Sequence, residues 1–174
     1  MKWPRQVLSR TRRPALALPH LGIQDLRAVD WAALKQAGFK AAIFDKDNTL
    51  TVPYAMDLEP GPATALQTCQ QVFGRRQVAL FSNSAGLAQF DPEGKEAELL
   101  EAALGDVAFG NRHGMLTIRP EPFTVANEPL AVRAARKLEQ VCVQRWREQG
   151  YTPPAHGLAG PLEAQAGRFL RTWI

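Results

Sequence analysis

Two aspartates one residue apart, Asp45 and Asp47, follow the apolar run Ala41-Ala42-Ile43-Phe44, and Thr49 stands two positions further on. Alternate side chains at the end of an extended strand point the same way, so Asp45, Asp47 and Thr49 can converge on one point. Two convergent carboxylates can hold a hard cation through oxygen. One can also attack an electrophile while the other handles the proton. A strand that merely runs into an Asp/Asn-rich turn carries similar residues. The apolar strand before the pair and Thr49-Leu50-Thr51 after it favour the catalytic reading.

A second polar cluster, Ser82-Asn83-Ser84-Ala85-Gly86, directly follows the apolar run Val78-Ala79-Leu80-Phe81. The Ser82 hydroxyl and Asn83 amide, beside the backbone N–H groups of a strand-to-helix turn, suit an anion. Alone, such a pair more often caps a helix. Following an Asp-x-Asp strand, it reads as the phosphate-holding part of the same site.

The surrounding elements must bring these clusters together. The pattern predicts a helix over Ile23 to Gly38, then the strand ending at Asp45. A second helix spans Ala63 to Phe73 and the Val78–Phe81 strand follows. A helix is expected over Lys95 to Leu104, a strand over Met115 to Ile118, and a long helix from Pro129 to about Gln149. That last helix presents Ala131, Ala134, Ala135, Leu138, Val141, Cys142 and Trp146 on one side. Strands alternating with helices imply an α/β fold with a parallel sheet, in which chemistry sits at the carboxyl ends of the strands. Three segments are expected: a basic stretch over 1–14, the domain over 15–150, and a weakly patterned tail over 151–174.

The 174 residues carry a net charge of +4, enough chain for one ordinary domain. No apolar run approaches the roughly 20 residues of a spanning helix. Cys69 and Cys142 have no metal-type spacing and read as buried thiols of a reducing compartment. Lys2, Arg5, Arg10, Arg12 and Arg13 precede the first acid, Asp25. That composition resembles an organelle transit segment, although a frayed basic terminus would look the same.

The stretches Phe44-Asp45-Lys46-Asp47-Asn48-Thr49-Leu50-Thr51 and Phe81-Ser82-Asn83-Ser84-Ala85-Gly86 resemble the first two motifs of haloacid-dehalogenase-superfamily phosphatases. Within that superfamily, Leu18-Pro19-His20, Gly110-Asn111-Arg112-His113-Gly114-Met115-Leu116-Thr117 and Glu128-Pro129 resemble the mitochondrial and plastid phosphatidylglycerophosphate phosphatases. The resemblance implies a Rossmann-like domain and a Mg²⁺-dependent phosphatase of phospholipid and cardiolipin biosynthesis. It implies Asp45 as nucleophile and Asp47 as general acid and base. Mg²⁺ would sit on the Asp45 carboxylate and the Asp47 carbonyl, Thr49 would steady the loop, and Ser82 and Asn83 would hold the phosphate. The implied partner is an anionic phospholipid at a membrane surface, with the protein peripheral to a mitochondrial or plastid membrane. No nucleic-acid partner is expected.

Two family elements are missing: a lysine that balances the site's charge, and a strand ending in Gly-Asp-Arg-x-x-Thr-Asp. After Lys46 only Lys95 and Lys137 occur, both in surface-type contexts. Glu101-Ala102-Ala103-Leu104-Gly105 reads as the helix before the lysine segment, and Asp106 onward as the last acid of the fourth motif. The junction at Gly105-Asp106 therefore looks like a loss of at least one βαβ unit. Asp106 is retained as a metal-ligand candidate, against the reading of a helix-end acid. The chain is expected to be catalytically impaired. Alternatives are a phosphatase of a small soluble phosphoester, and a non-catalytic membrane-surface module. The last uses Arg133, Arg136, Lys137, Arg145 and Arg147, which alternate with an apolar face.

Overall fold

In the computed structural model the described residues are 13–52, 55, 57–81, 107–122 and 130–171. They form helix α1 (Pro14–Ala17), strand β1 (Leu21–Ile23), helix α2 (Trp31–Gln36), strand β2 (Ala42–Asp45), helix α3 (Pro60–Phe73), strand β3 (Val78–Phe81), strand β4 (Ile118–Pro120), helix α4 (Leu130–Glu148) and helix α5 (Leu162–Phe169). Residues 107–112 are also helical. The expected helix over Lys95 to Leu104 lies outside the described residues.

The architecture is α/β with parallel strands, consistent with a reduced Rossmann-like domain. The described strands form two parallel pairs, β1–β4 and β2–β3. The strand expected over Met115 to Ile118 does not pair with β2. The strand there runs from Ile118 to Pro120 and pairs with β1, in register Leu21 to Ile118.

One helix was expected over Ile23 to Gly38; the chain instead makes β1, a 3₁₀ turn at Leu26–Ala28, and α2. Two aspartates interrupt it. Asp25 is extended and accepts from the Arg27 N–H, while Asp30 caps α2 by accepting from the Ala33 N–H. Both act through the side-chain oxygen that makes aspartate a better cap than helix interior residue. Helix α3 starts at Pro60, three residues before the expected Ala63. Proline is favoured in the first turn because its missing N–H would be unpaired there in any case.

The core lies between α2, α3 and the strands. Leu21, Ile23, Leu26, Val29, Trp31, Leu34, Phe44, Leu50, Cys69 and Phe73 share one buried cluster. Burial of such side chains is worth roughly 1.5–3 kcal/mol each. Trp31 packs its ring 5.6 Å from that of Phe44, so the strand that carries Asp45 is fixed from behind. The segment after residue 150 joins this core: Phe169 and Ala159 are fully buried, and Asp30 donates its N–H to the Phe169 carbonyl at 2.8 Å.

Helix α4 departs from the expected pattern. Val141 is 53% exposed and Ala134 is exposed, while Leu138, Cys142 and Trp146 are half-buried. Among the described side chains of α4 only Glu139 is buried. Its carboxylate accepts both guanidinium nitrogens of Arg119 on β4, at 2.5 and 2.8 Å. A charge pair therefore anchors the helix at the centre of its inward side, and the apolar stripe is rotated toward solvent.

Candidate active site

Strand β2 ends at Asp45, directly opposite Phe81 of the parallel strand β3. The carboxyl ends of the two strands thus meet side by side, with Asp45 closing one and Ser82 next in sequence after the other. Ser82, Asn83 and Asp106 lie outside the described residues. Asp45, Asp47 and Thr49 are described, and all three are half-buried.

The loop after β2 is built around one carbonyl. Lys46 C=O accepts the backbone N–H groups of Leu50 at 2.9 Å, Thr51 at 3.1 Å and Thr49 at 3.3 Å, with the Thr51 hydroxyl at 3.4 Å. Asn48 turns the chain with a φ of 58°, a left-handed conformation that Asn tolerates better than most residues. Its N–H donates back to the Thr51 carbonyl at 2.9 Å. Leu50 is wholly buried and Thr51 nearly so, and Glu59 N–H donates to the Leu50 carbonyl just before α3. The Asp-x-Asp-x-Thr-Leu spacing is therefore a closed turn, pinned into the core by Leu50, that holds its carboxylates at a strand end.

Lys46 also brings its ammonium to 3.7 Å from the Asp47 carboxylate. The loop thus supplies one cation of its own beside two acids. Nothing in the sequence pattern separated Lys46 from a solvated lysine.

The Gly110–Thr117 motif has a different job. Helix 107–112 ends with Gly114 at a φ of 69°. Met115 N–H donates to the Gly110 carbonyl at 2.8 Å, and Gly114 N–H to the Asn111 carbonyl at 3.3 Å. This is the paired bonding of a Schellman cap, whose left-handed residue favours glycine. At Gly110 the constraint is space: a Cβ there would stand 2.7 Å from the Thr117 methyl.

The motif's polar residues then clasp the Leu18-Pro19-His20 stretch. Asn111 Nδ2 donates to the carbonyls of Leu16 and Leu18, both at 2.8 Å. The Thr117 hydroxyl donates to Asn111 Oδ1 at 2.9 Å and accepts the His20 N–H at 3.2 Å. His20 is buried, and its Nε2 lies 2.8 Å from the Pro154 carbonyl. Burial lowers the His20 pKa from its ordinary value, and the nearby charge of His156 lowers it further. The bond to the Pro154 carbonyl opposes both effects. Two stretches that sequence reading could use only as family markers are thus parts of one buried network. Their signal was the pairing of small glycines with polar residues of fixed spacing.

Paired carboxylates at a parallel strand end, with Ser82-Asn83 next in sequence after the neighbouring strand, fit a phosphatase that works through aspartate. The chain belongs to the family described as mitochondrial PGP phosphatase, whose model matches residues 5–119. It is 47% identical to phosphatidylglycerophosphate phosphatase 1, chloroplastic, of Chlamydomonas reinhardtii, over 83% of this chain and 68% of that protein. It is 36% identical to the chloroplastic/mitochondrial phosphatidylglycerophosphate phosphatase 1 of Arabidopsis thaliana, over 83% of this chain and about half of that protein's length, 52%. A probable mitochondrial phosphatidylglycerophosphatase of Schizosaccharomyces pombe matches over 33% of this chain at 33% identity. No solved structure matches. The named relatives are chloroplastic or mitochondrial, in line with the expected organelle. Among the described residues no helix is long and apolar enough to cross a membrane.

Both longer alignments run over 183 positions, yet 83% of 174 residues is about 144. About 39 positions of each alignment therefore face no residue of this chain.

Proposed function

We propose that this chain is a phosphatidylglycerophosphate phosphatase working through an aspartyl-phosphate, and that this form is impaired. The observation that carries the reading is the Asp45–Asp47 turn at the carboxyl end of β2, side by side with the end of β3. Asp45 attacks phosphorus and forms a P–O bond as the bond to the glycerol oxygen breaks. Asp47 gives its proton to that leaving oxygen. The Asp47 carboxylate then takes a proton from water, which attacks the acyl phosphate, releases inorganic phosphate and frees Asp45. Ser82 and Asn83 hold the phosphate oxygens.

The residues present suit Mg²⁺. Among the described residues no cluster of three or more His, Cys, Asp or Glu could hold a metal ion. Mg²⁺ is commonly bound by only one or two carboxylates together with waters and phosphate oxygens. The Asp45 carboxylate and the Asp47 carbonyl would hold it, with Asp106 as a further candidate. When bound, it draws charge off the phosphoryl oxygens.

Impairment rests on the charge balance and on the unmatched positions. A dianionic phosphate facing two carboxylates needs more cation than Lys46 supplies. The test is phosphate release from phosphatidylglycerophosphate in mixed micelles, with and without Mg²⁺, against a soluble sugar phosphate. Slow, Mg²⁺-dependent turnover of the lipid, abolished by Asp45→Asn, is expected. Equal turnover of the two substrates would favour a general phosphatase, and turnover unaffected by Asp45→Asn would overturn the mechanism.

A further inference from the structure

Lys46 stands at the most heavily bonded point of the aspartate turn. Its carbonyl accepts the N–H groups of Thr49, Leu50 and Thr51 together with the Thr51 hydroxyl, so its backbone is fixed. From that fixed point its side chain brings Nζ to 3.7 Å from Asp47 Oδ1. The Lys46 and Asp47 side chains are only 21% and 25% exposed. A partly covered ammonium attracts an anion more strongly than one in open solvent, because less water screens it.

In the mechanism above, Asp47 gives its proton to the leaving oxygen. A cation beside Asp47 therefore stands on the leaving-group side of the reaction. The leaving group of phosphatidylglycerophosphate is a glycerol whose far end carries a second phosphate, held as a singly charged diester. That anion lies one glycerol length from the oxygen that Asp47 serves. Lysine is a point charge on a flexible four-carbon stem, and needs no fixed orientation of the phosphate it meets.

We propose that Lys46 reads the diester phosphate of the leaving group, and so selects a glycerol that carries one over plain glycerol phosphate. The contact with Asp47 holds the ammonium where the diester arrives. Lys46 is then a specificity residue of the same site, and the proposal rests on the aspartyl-phosphate reading of Asp45 and Asp47. Recognition lies in the headgroup, so it does not require the acyl chains.

Two soluble ligands isolate the diester. One is glycerophosphoglycerol phosphate, the substrate headgroup with its acyl chains removed. The other is glycerol 3-phosphate, which has the same monoester and no diester. Binding is measured by equilibrium dialysis with Mg²⁺ in the Asp45→Asn chain, which does not turn the ligands over. The diester ligand should bind about tenfold tighter, the size of one hydrogen bond to a charged group. Adding Lys46→Gln should remove that preference and leave glycerol 3-phosphate binding unchanged, whereas Lys46→Arg should keep part of it. A merely structural role for Lys46 would weaken both ligands alike. Rising salt gives a second measurement without touching Lys46, since it should shrink the preference. If Lys46→Gln melts early, the salt series decides. No preference with Lys46 present, a preference that survives Lys46→Gln or high salt, or equal loss of both ligands in a folded variant would each overturn the proposal. Phosphate release is measured separately with Asp45 in place. A chain that shows the Lys46-dependent preference but releases no phosphate would count against the catalytic reading alone.

Discussion

His20 Nδ1 lies 2.9 Å from the Thr117 hydroxyl oxygen and 3.2 Å from the Thr117 backbone nitrogen, so one residue brackets one edge of the ring. On the far side of the ring Nε2–H donates to the Pro154 carbonyl at 2.8 Å. One buried ring thus ties the start of β1, the approach to β4 and the loop after α4 together.

A pH dependence follows. Burial penalises the charged ring, and this outweighs the bond to the Pro154 carbonyl. The folded pKa lies below the unfolded value of 6.5, so the unfolded chain binds more protons in the window between the two. The His20 contribution is full above about pH 6.5 and is lost as pH falls through the folded value. Two groups near the ring carry charge: His156, its ring centroid 6.0 Å away, and Arg147, which donates to the Pro19 carbonyl. Positive charge at His156 opposes protonation of His20. Thermal melts between pH 8 and 5.5 should show a falling midpoint, and the fall should be smaller in His20→Gln.

The hydroxyl at the hub is testable alone. In Thr117→Val, Asn111 Oδ1 loses its donor and the His20 N–H its acceptor, in a buried setting. Leaving buried polar groups unpaired costs roughly 1–3 kcal/mol each. Denaturant unfolding should report a loss in that range. A loss below about 0.5 kcal/mol, the ordinary size of a surface substitution, would mean the network is slack.

The Arg119–Glu139 pair carries a larger expectation. Arg119→Met leaves the Glu139 carboxylate buried without its partner. Breaking a buried pair from one side typically costs about 3–5 kcal/mol. The double variant Arg119→Met, Glu139→Leu should recover most of that loss, because a matched apolar pair needs no compensation. Denaturant midpoints of the three chains check the sign.

How much of this was legible in sequence depended on the range of the forces involved. Strand β3 over Val78–Phe81 and the placement of Asp45 at a strand end were readable, because short apolar runs bounded by polar turns are local signals. Helix α4 was readable to within one residue at each end, but its inward side was not. A charged residue at the centre of a buried side contradicts the apolar periodicity, and only the partner on β4 resolves it. The break between β1 and α2 was missed because Leu26, Val29 and Leu34 recur at helical spacing. The caps at Asp25 and Asp30 were the signal that outranked it. Helix α5 was invisible because its buried members, Gln165 and Phe169, make too short a pattern.

The thiols should differ in reactivity. Cys69 is wholly buried, and burial pushes its pKa up to about 11. Cys142 is half-buried on α4, and burial raises its pKa as well. Alkylation requires thiolate and access. At pH 8 the native chain should label at Cys142 first, with Cys69 modified only on unfolding, as read by mass spectrometry of digested protein. Equal labelling would place Cys69 outside the stable core.

The last expectation concerns the positions that this chain lacks. Among the described residues β2 pairs with β3 on one side, and its other edge has no described strand partner. Ile43 on β2 and Leu80 on β3 are 56% and 59% exposed. Such exposure on adjacent strands is costly and invites association. The relatives' alignments hold about 39 positions with no counterpart here, which is enough chain for a βαβ unit of about thirty residues. The sequence places the junction at Gly105-Asp106. Inserting the relative's segment there should cover Ile43 and Leu80, lower the binding of an apolar dye, and sharpen the thermal transition. A gain of a few kcal/mol would be large against a typical net stability of about 5–15 kcal/mol. If the insertion also supplies the missing cation and acid, Mg²⁺-dependent phosphate release should rise by orders of magnitude. Asp45→Asn in the extended chain should then abolish it, because an amide is a far poorer nucleophile. If the short chain melts as cooperatively and turns over as fast as the extended one, the segment is dispensable and the exposed strands need another explanation.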